Sequence, residues 1–452
     1  MRKESDMINN KSPIIQLKLQ SKAEKENLYE ALCTNYVLYE GFCNVKKNQG
    51  AAGIDAQSIR DFEANLEIEL ERLKEELVNW TYQPQPVKRV EIPKLERGGV
   101  RLLGIPCVRD RVVQAAIKNL IEPLLDPHLS EYSYGFRPGK NQRQAIETAQ
   151  QIMRERGKGI VVDIDLSKFF DRIHHDRLIA RLSRQIPDKR ILRLIGKILR
   201  GGIMEDGFVK PSKEGAVQGS PLSPLLSNVV LDELDKELER RGLEFCRFAD
   251  DCNIFVKSIK SGRRVMDSMS RFIEKKLRLV VNEEKSRVAP TSQVSFLGMT
   301  LVEGIIAISR KSILKAMKKV KDLTPRGTHC TLVETIEEIN KWYRGWSGYF
   351  LMTQYPSQLA AIEAHIRRRL RSRLIDQQKS RRNLFKKLIQ RGVPRPTAAV
   401  AFTHKRRWAL SQTRAMSKAF GNRWFIQEMR QFIRSHESYP HWLDRSKWVR
   451  LT

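Results

Sequence analysis

Three observations in the sequence predict an α+β fold followed by a helical region. Up to about Ser309, strand-like and helix-like segments mix without a strict β-α-β repeat, which points to a sheet with helices on one face. Beyond Ser309 the pattern is nearly all helix and dense in basic residues, most of all in HIRRRLRSRLIDQQKSRR (365–382). Two apolar strand segments, GIVVDIDL (159–166) and FCRFADDCNIFV (245–256), carry aspartates where burial would favour apolar side chains.

The elements follow in chain order. From Ile59 the residues Ile59, Phe62, Leu66, Leu70, Leu73, Leu77 and Trp80 recur at steps of three and four, predicting one amphipathic helix that YQPQP ends. Residues 87–106 read as two short strands joined by a Gly-Gly turn and lined by Lys88, Arg89, Lys94, Arg97 and Arg101, a basic hairpin suited to phosphate contact. A helix is expected around 108–122, then an aromatic and basic loop, SYGFRPGKN (133–141). The strand that follows sets Val161, Asp163 and Asp165 on one face and Val162, Ile164 and Leu166 on the other. Residues 214–238 open with glycines around Gln218 and run into an amphipathic helix, so backbone N–H groups can face a ligand from the helix start. The hairpin at 245–256, a helix over 263–279 and a second hairpin at 294–309 complete this part. In the helical region Trp342, Tyr343, Trp346, Tyr349 and Phe350 fall at steps that pack a helix core.

Composition narrows the partners. The chain has 452 residues, 41% of them apolar, which supports globular domains, and a formal charge of +31, whose self-repulsion calls for a polyanion. Nucleic acid is the partner such a charge fits. There is no run of about eighteen apolar residues and no apolar signal core near Met1, so no membrane association is expected. Glu4 and Asp6 in the first residues argue against an organellar transit peptide, so the expected compartment is the cytoplasm. Six scattered cysteines form no C-x-x-C pair, which argues against a structural zinc site.

Chemistry gathers at the acids. Adjacent carboxylates at a semi-buried turn repel and raise each other's pKa unless a cation lies between them. Carboxylates from two strands, Asp165 on one and Asp250 and Asp251 on the other, can converge on two Mg²⁺ ions about 4 Å apart, which activate an attacking hydroxyl and stabilise a leaving pyrophosphate.

The blocks RVEIPK, GGVRLLGIP, YSYGFRPGKN, VVDIDLSKFFDRIHHDRL, QGSPLSPLLSN, CRFADDCNIFV, VNEEKS and FLGMTL, in this order, resemble those of the group II intron-encoded reverse transcriptase/maturase family of bacteria, and INKWYRGWSGYF resembles the start of its thumb. The resemblance implies a right-hand polymerase, its fingers and palm built on an antiparallel palm sheet, followed by an all-helical thumb/maturase domain. Its expected boundaries are an N-terminal extension (1–57), fingers and palm (58–309), thumb/maturase domain (310–390) and a basic C-terminal nucleic-acid-binding domain (391–452). It further implies Asp165, Asp250 and Asp251 as the catalytic, metal-binding triad, with Mg²⁺ as two ions and Mn²⁺ as a substitute. Asp163 is the physical rival of Asp165, but the spacing D-L-x-x-F-F-D begins at Asp165. Phe170 matches the ring under the incoming sugar, Lys94 and Arg101 match fingers residues on the triphosphate, and Gln218 matches the loop residue beside the nucleotide.

Two positions depart from the family. Phe248 stands where tyrosine is usual in Y-A-D-D, and Val217 stands where proline is usual before Gln-Gly, leaving a less rigid turn. The paired C-x-x-C motifs of the family's zinc-bound HNH endonuclease are lacking, so the expectation is use of a target strand opened by something else, such as a replication fork. Expected partners are a structured intron RNA, an RNA template with DNA primer, deoxynucleotides and target DNA. Arg367, Arg368 and Arg371, within an arginine run that extends to Arg373, together with Lys405 and Arg406, are the expected nucleic-acid contacts, because the run spreads around the helix beyond what Glu363 and Asp376 neutralise. Two other readings stay open: a non-catalytic RNA-binding maturase, and an intron-free reverse transcriptase used in DNA repair or phage defence.

Overall fold

The structure is a computed structural model that describes residues 27–93, 100–205, 208–210, 214–325, 327–378, 380–404 and 406–433. Lys94 and Lys405, both expected site residues, lie outside the described residues. The chain divides into two compact units, Met1–Ala289 and Pro290–Thr452.

In the first unit, Thr34 caps α1 (Asn35–Asn48), which buries Val37, Leu38, Phe42 and Val45. The single helix expected from Ile59 is two. Ser58 forms a capping box with Asp61 at the start of Ile59–Ala64, and Asn65 leaves the helical region at φ −119° before α2 (Leu66–Val78) begins. Periodicity ran through this break because a one-residue interruption leaves the apolar residues on the inner side of both pieces. Trp80 lies beyond α2, with φ at 59°.

β1 (Val87–Pro93) and β2 (Val100–Ile105) form the expected antiparallel pair, with Ile92 opposite Arg101. After α3 (Val108–Leu125) and α4 (Gln142–Arg156) comes β3 (Ile160–Ile164). Next are α5 (His175–Leu182), α6 (Lys189–Leu199), β4 (Ile203–Glu205) and β5 (Phe208–Lys210). These two strands extend the first sheet to the order β2-β1-β4-β5, and β4 joins β1 in parallel. Finally α7 (Ser223–Arg240), β6 (Glu244–Phe248), β7 (Asp251–Val256), α8 (Ile259–Phe272) and β8 (Arg287–Pro290) complete a second sheet ordered β6-β7-β3-β8. β7 is antiparallel to both β6 and β3. Val162, Ile164, Phe245 and Ile254 are at most 1% exposed in a core shared with α7. Burying each such side chain contributes about 1.5–3 kcal/mol, which sets the sheet's register firmly.

The second unit opens with the hairpin β9 (Met299–Val302) and β10 (Ile305–Ile308). The sequence suggested a break after this hairpin, whereas the chain groups it with the helices. The reason is a polar seam: the Gln354 and Gln358 side chains accept from the backbone N–H groups of Ile306 and Ile308, and Gln354 N–H donates to the Ile306 carbonyl. Four longer helices follow: α9 (Arg310–Leu323), α10 (Leu332–Phe350), α11 (Pro356–Asp376) and α12 (Arg381–Gln390). Tyr343 is fully buried among them and its hydroxyl donates to Glu363 at 2.9 Å, so the aromatic stripe is core here, as its spacing suggested. Among the described residues no helix is long and apolar enough to cross a membrane.

Candidate active site

The aspartates meet at one end of the second sheet. Phe248 on β6 pairs with Asp251 on β7, leaving a two-residue turn of Ala249 and Asp250. Ala249 takes a left-handed φ of 57°, a conformation that costs a non-glycine residue about 1–2 kcal/mol and persists only where neighbours hold it. Arg247 supplies much of that hold. Its side chain is fully buried, donates to both Asp235 carboxylate oxygens at 2.7 and 2.5 Å, to Asn228 Oδ1 at 3.0 Å and to Ser133 Oγ at 2.7 Å, and reaches the Ala249 carbonyl at 2.8 Å. Gly135 closes the other side: a Cβ there would stand 2.2 Å from the Ala249 nitrogen, so only glycine lets this loop lie against the turn.

Asp165 follows β3 directly. Ile164 pairs with Cys252, so the next position on each strand sets Asp165 beside Asp251. The backbone around Asp165 is tied to the 282–286 loop, since its N–H donates to Ser286 Oγ at 3.0 Å and its carbonyl accepts from Asn282 N–H at 2.8 Å. From the same loop Lys285 Nζ stands 3.4 Å from the Asp165 carboxylate. Asp163, on the same strand face, is paired with Arg287 at 3.5 Å.

These acids crowd one another. Burial, and then the charges of Asp163, Asp250 and Asp165, push the Asp251 carboxyl up to about 8. Asp250 stands at the turn with its surface exposed, yet the protein packed around its carboxyl raises it too, with Asp165 adding to the rise and its own backbone hydrogen bond, Arg101 and Arg247 opposing it. Four neighbouring carboxylates face the paired Lys285 and Arg287 and the charge of Arg101, an excess of negative charge that a divalent cation would relieve. No group of three or more His, Cys, Asp or Glu side chains among the described residues is arranged to hold a metal ion on its own. An all-oxygen, open donor set fits Mg²⁺, which takes one or two carboxylates and completes its shell with water and substrate phosphates.

A cavity of about 320 Å³ opens beside β1 and β2, lined in part by Arg89, Gly104, Lys168, Asp171, Val217 and Gln218. The Gln218 loop is bound to both walls. The Gly104 N–H donates to the Gln218 carbonyl at 2.8 Å, the Ala216 N–H to the Phe170 carbonyl at 2.7 Å, and His175 Nε2 lies 2.7 Å from the Gly215 carbonyl. Phe170 is half-buried, with its ring edge-on to Phe169. Val217, despite lacking proline's rigidity, sits in a loop held by this hydrogen bonding. Asp165, Asp250, Asp251 and Arg101 thus form one electrostatic neighbourhood, and Gln218 and Phe170 a second, linked through the loop.

The arginine run behaves otherwise than its charge suggested. Arg367 is 8% exposed beside Glu363, the Arg368 guanidinium stacks 3.8 Å over the Trp408 ring, and Arg371 Nε donates to the Phe420 carbonyl at 2.7 Å. Arg369 donates to Thr324, and Arg373 to Thr335 and the Cys330 carbonyl. The circumferential spread that looked too wide for ion pairing is used to fasten α11 to its neighbours through carbonyls and rings, which sequence-local charge counting does not see. Arg406 is exposed.

A two-sheet body that gathers aspartates from adjacent strands beside a basic hairpin defines a nucleic-acid polymerase with a fingers and palm. Residues 92–301 match the reverse transcriptase (RNA-dependent DNA polymerase) family, and residues 313–391 match the group II intron maturase-specific domain. Protein YkfC of Escherichia coli (strain K12) is 32% identical over 294 residues, 57% of this chain and 77% of its own length. The group II intron-encoded protein LtrA of Lactococcus lactis subsp. cremoris is 28% identical over 397 residues, 71% of this chain; the chain spans just under two thirds, 64%, of LtrA. Among solved structures, telomerase from Candida albicans aligns with 72% of this chain and 67% of its own at 12% identity and a TM-score of 0.40. The chain belongs to the reverse transcriptases that carry a group II intron maturase domain.

Proposed function

We propose that the chain is an RNA-directed DNA polymerase that also binds a structured group II intron RNA and assists its splicing and retrohoming. The observation that carries the reading is the convergence of Asp165, Asp250 and Asp251 at one end of the sheet, with the Asp251 carboxyl raised to about 8 by burial and then by its acidic neighbours. The three side chains would hold two Mg²⁺ ions. When bound, these would lower the pKa of a primer 3′-hydroxyl and neutralise the charge leaving on pyrophosphate. In the reaction the 3′-oxygen forms a bond to the α-phosphorus, the bond to the bridging oxygen of pyrophosphate breaks, and the hydroxyl proton passes to solvent.

The chain's own residues supply orientation. Arg101, whose charge acts on the Asp250 carboxyl, would meet a triphosphate that approaches the acids. Lys94 belongs to the same hairpin by sequence. Phe170 would face the incoming sugar, where a 2′-hydroxyl meets its ring, and Gln218 would face the base beside the cavity it lines. Lys285 balances Asp165 in the absence of cations. The match of residues 313–391 to a maturase domain supports the RNA role, and Arg406 remains its exposed candidate. The substrates are then an RNA template with DNA primer, deoxynucleotides, the intron RNA and target DNA, met in the cytoplasm. Two assays on one preparation test the reading: primer extension on an RNA template with Mg²⁺, and splicing of the intron RNA encoded around the gene. Extension without splicing would leave a reverse transcriptase with another role; splicing without extension would leave a maturase alone.

A further inference from the structure

His175, at the start of α5, is 2% exposed, and its imidazole lies against the loop that carries Gln218. A carbonyl oxygen can only accept, so the 2.7 Å contact with Gly215 fixes the hydrogen on Nε2 and leaves Nδ1 as a bare acceptor. That Nδ1 is buried and finds no hydrogen-bond partner among the described residues. An unpaired buried polar atom is costly, and an apolar side chain would fill the same place without that cost.

The bond lands on a loop folded closely onto the segment that bears Phe170. Gly215 N–H donates to the Ile173 carbonyl and Ala216 N–H to the Phe170 carbonyl, each at 2.7 Å. Gly215 takes a φ of 96°, and a Cβ there would stand 3.1 Å from the Asp171 carbonyl oxygen, so the two segments touch backbone to backbone. Further along, the Gln218 carbonyl accepts from the Gly104 N–H on β2. To these backbone ties His175 adds a side-chain clasp.

We infer that His175, with its ring neutral, is a positioning residue for the incoming nucleotide: through Gly215 it holds the Gln218 loop against the Phe170 segment, so that the two keep their spacing beside the cavity. This rests on the polymerase reading above. The ring must be neutral because an imidazolium would carry a second N–H, at Nδ1, into a place without an acceptor. Burial is the main cause that holds its pKa below the ordinary histidine value; the Gly215 carbonyl opposes it, Arg200 at the end of α6 and His174 add to the fall, and Asp176 opposes it weakly. Glu214 and Asp171, on the two segments that the clasp joins, are exposed. A pKa lowered by the closed loop favours closure above the ordinary histidine range and favours opening, with hydration of the charged ring, as pH falls below it. Nucleotide binding then weakens in acid.

The test compares His175→Gln and His175→Leu with the unaltered full chain. Glutamine brings an amide N–H to about the reach of Nε2 and does not titrate; leucine fills the space and donates nothing. For each protein the thermal midpoint, the KM for deoxynucleotide and the KM for a short primer–template are measured at about pH 8 and about pH 5.5, either side of the ordinary histidine value of about 6.5. At the higher pH His175→Leu is expected to raise the deoxynucleotide KM about fivefold, the scale of one lost hydrogen bond, with the primer–template KM within about twofold. His175→Gln is expected to stay within about twofold of the unaltered chain there, and to show less than about half of the unaltered chain's further rise in acid. A deoxynucleotide KM for His175→Leu within twofold of the unaltered value overturns the inference, and so does an equal rise in acid for the unaltered chain and His175→Gln. A fall in thermal midpoint with both KM values rising together in both variants marks a packing residue and overturns it as well. An unaltered chain that extends no primer sinks the polymerase reading itself, a result distinct from these.

Discussion

At the scale of single residues, the protonation of Asp251 links stability, metal and pH. The folded carboxyl keeps its proton up to about pH 8, while an unfolded aspartate releases it near about 3.9. This group's stabilisation of the metal-free protein is thus complete below about pH 4 and is lost as pH rises through about 8. A divalent cation must displace that proton, so titrating the protein with Mg²⁺ at pH 7 is expected to release protons, and the rise in thermal midpoint on adding Mg²⁺ is expected to be larger above pH 8 than at pH 6. Calorimetry in two buffers of different ionisation enthalpy measures the release; equal heats in both would contradict it. Phe170 makes a second claim at this scale. If Phe170 lies under the incoming sugar as proposed, Phe170→Val opens space there, and the preference for deoxynucleotides over ribonucleotides is expected to fall at least tenfold, roughly the worth of one good contact at 1.4 kcal/mol. Unchanged discrimination in single-nucleotide incorporation would return Phe170 to the core against which it packs.

At the scale of elements, the β6–β7 turn is held less by its own sequence than by what surrounds it. Arg247 and Asp235 are both fully buried and joined by two hydrogen bonds. Arg247→Ala strands the Asp235 charge, and denaturant unfolding is expected to show a loss of about 3–5 kcal/mol. A loss under about 1 kcal/mol would mean that water or other groups satisfy Asp235. This network was not legible in the sequence, where an arginine inside a strand reads as a solvent-facing charge. Its partners Ser133, Asn228 and Asp235 lie 114, 19 and 12 residues away. The alternation in β3 was legible, because burial of Val162 and Ile164 leaves Asp163 and Asp165 on the other face by geometry alone. Which partner each acid meets was not: Arg287 stands at Asp163 and Lys285 at Asp165 only once β8 and the loop before it are laid beside β3. The break at Asn65 and the inward-turned arginines of α11 share a cause: periodicity and charge report which face a residue takes, not what it meets there.

At the scale of the whole molecule, a charge of +31 and an acidic centre divide the work between holding nucleic acid and joining it. On the proposed reading, basic surfaces would bind phosphates without regard to the reaction, while Asp165, Asp250 and Asp251 would contribute charge only where a divalent cation is needed. The two functions are therefore separable by one change. Asp250→Asn removes a carboxylate proposed to bind metal at the exposed tip of the turn and leaves the basic residues as they are. The decisive measurement is made on that variant beside the unaltered chain, as the rate of primer extension on an RNA template at saturating Mg²⁺ together with the affinity for the same RNA. The account predicts extension lowered by more than about a hundredfold, the order lost with an electrostatic stabiliser of the transition state, and RNA affinity within about twofold. Extension that survives at more than a few per cent of the unaltered rate, with RNA affinity intact, would contradict the assignment of these aspartates as the polymerase centre.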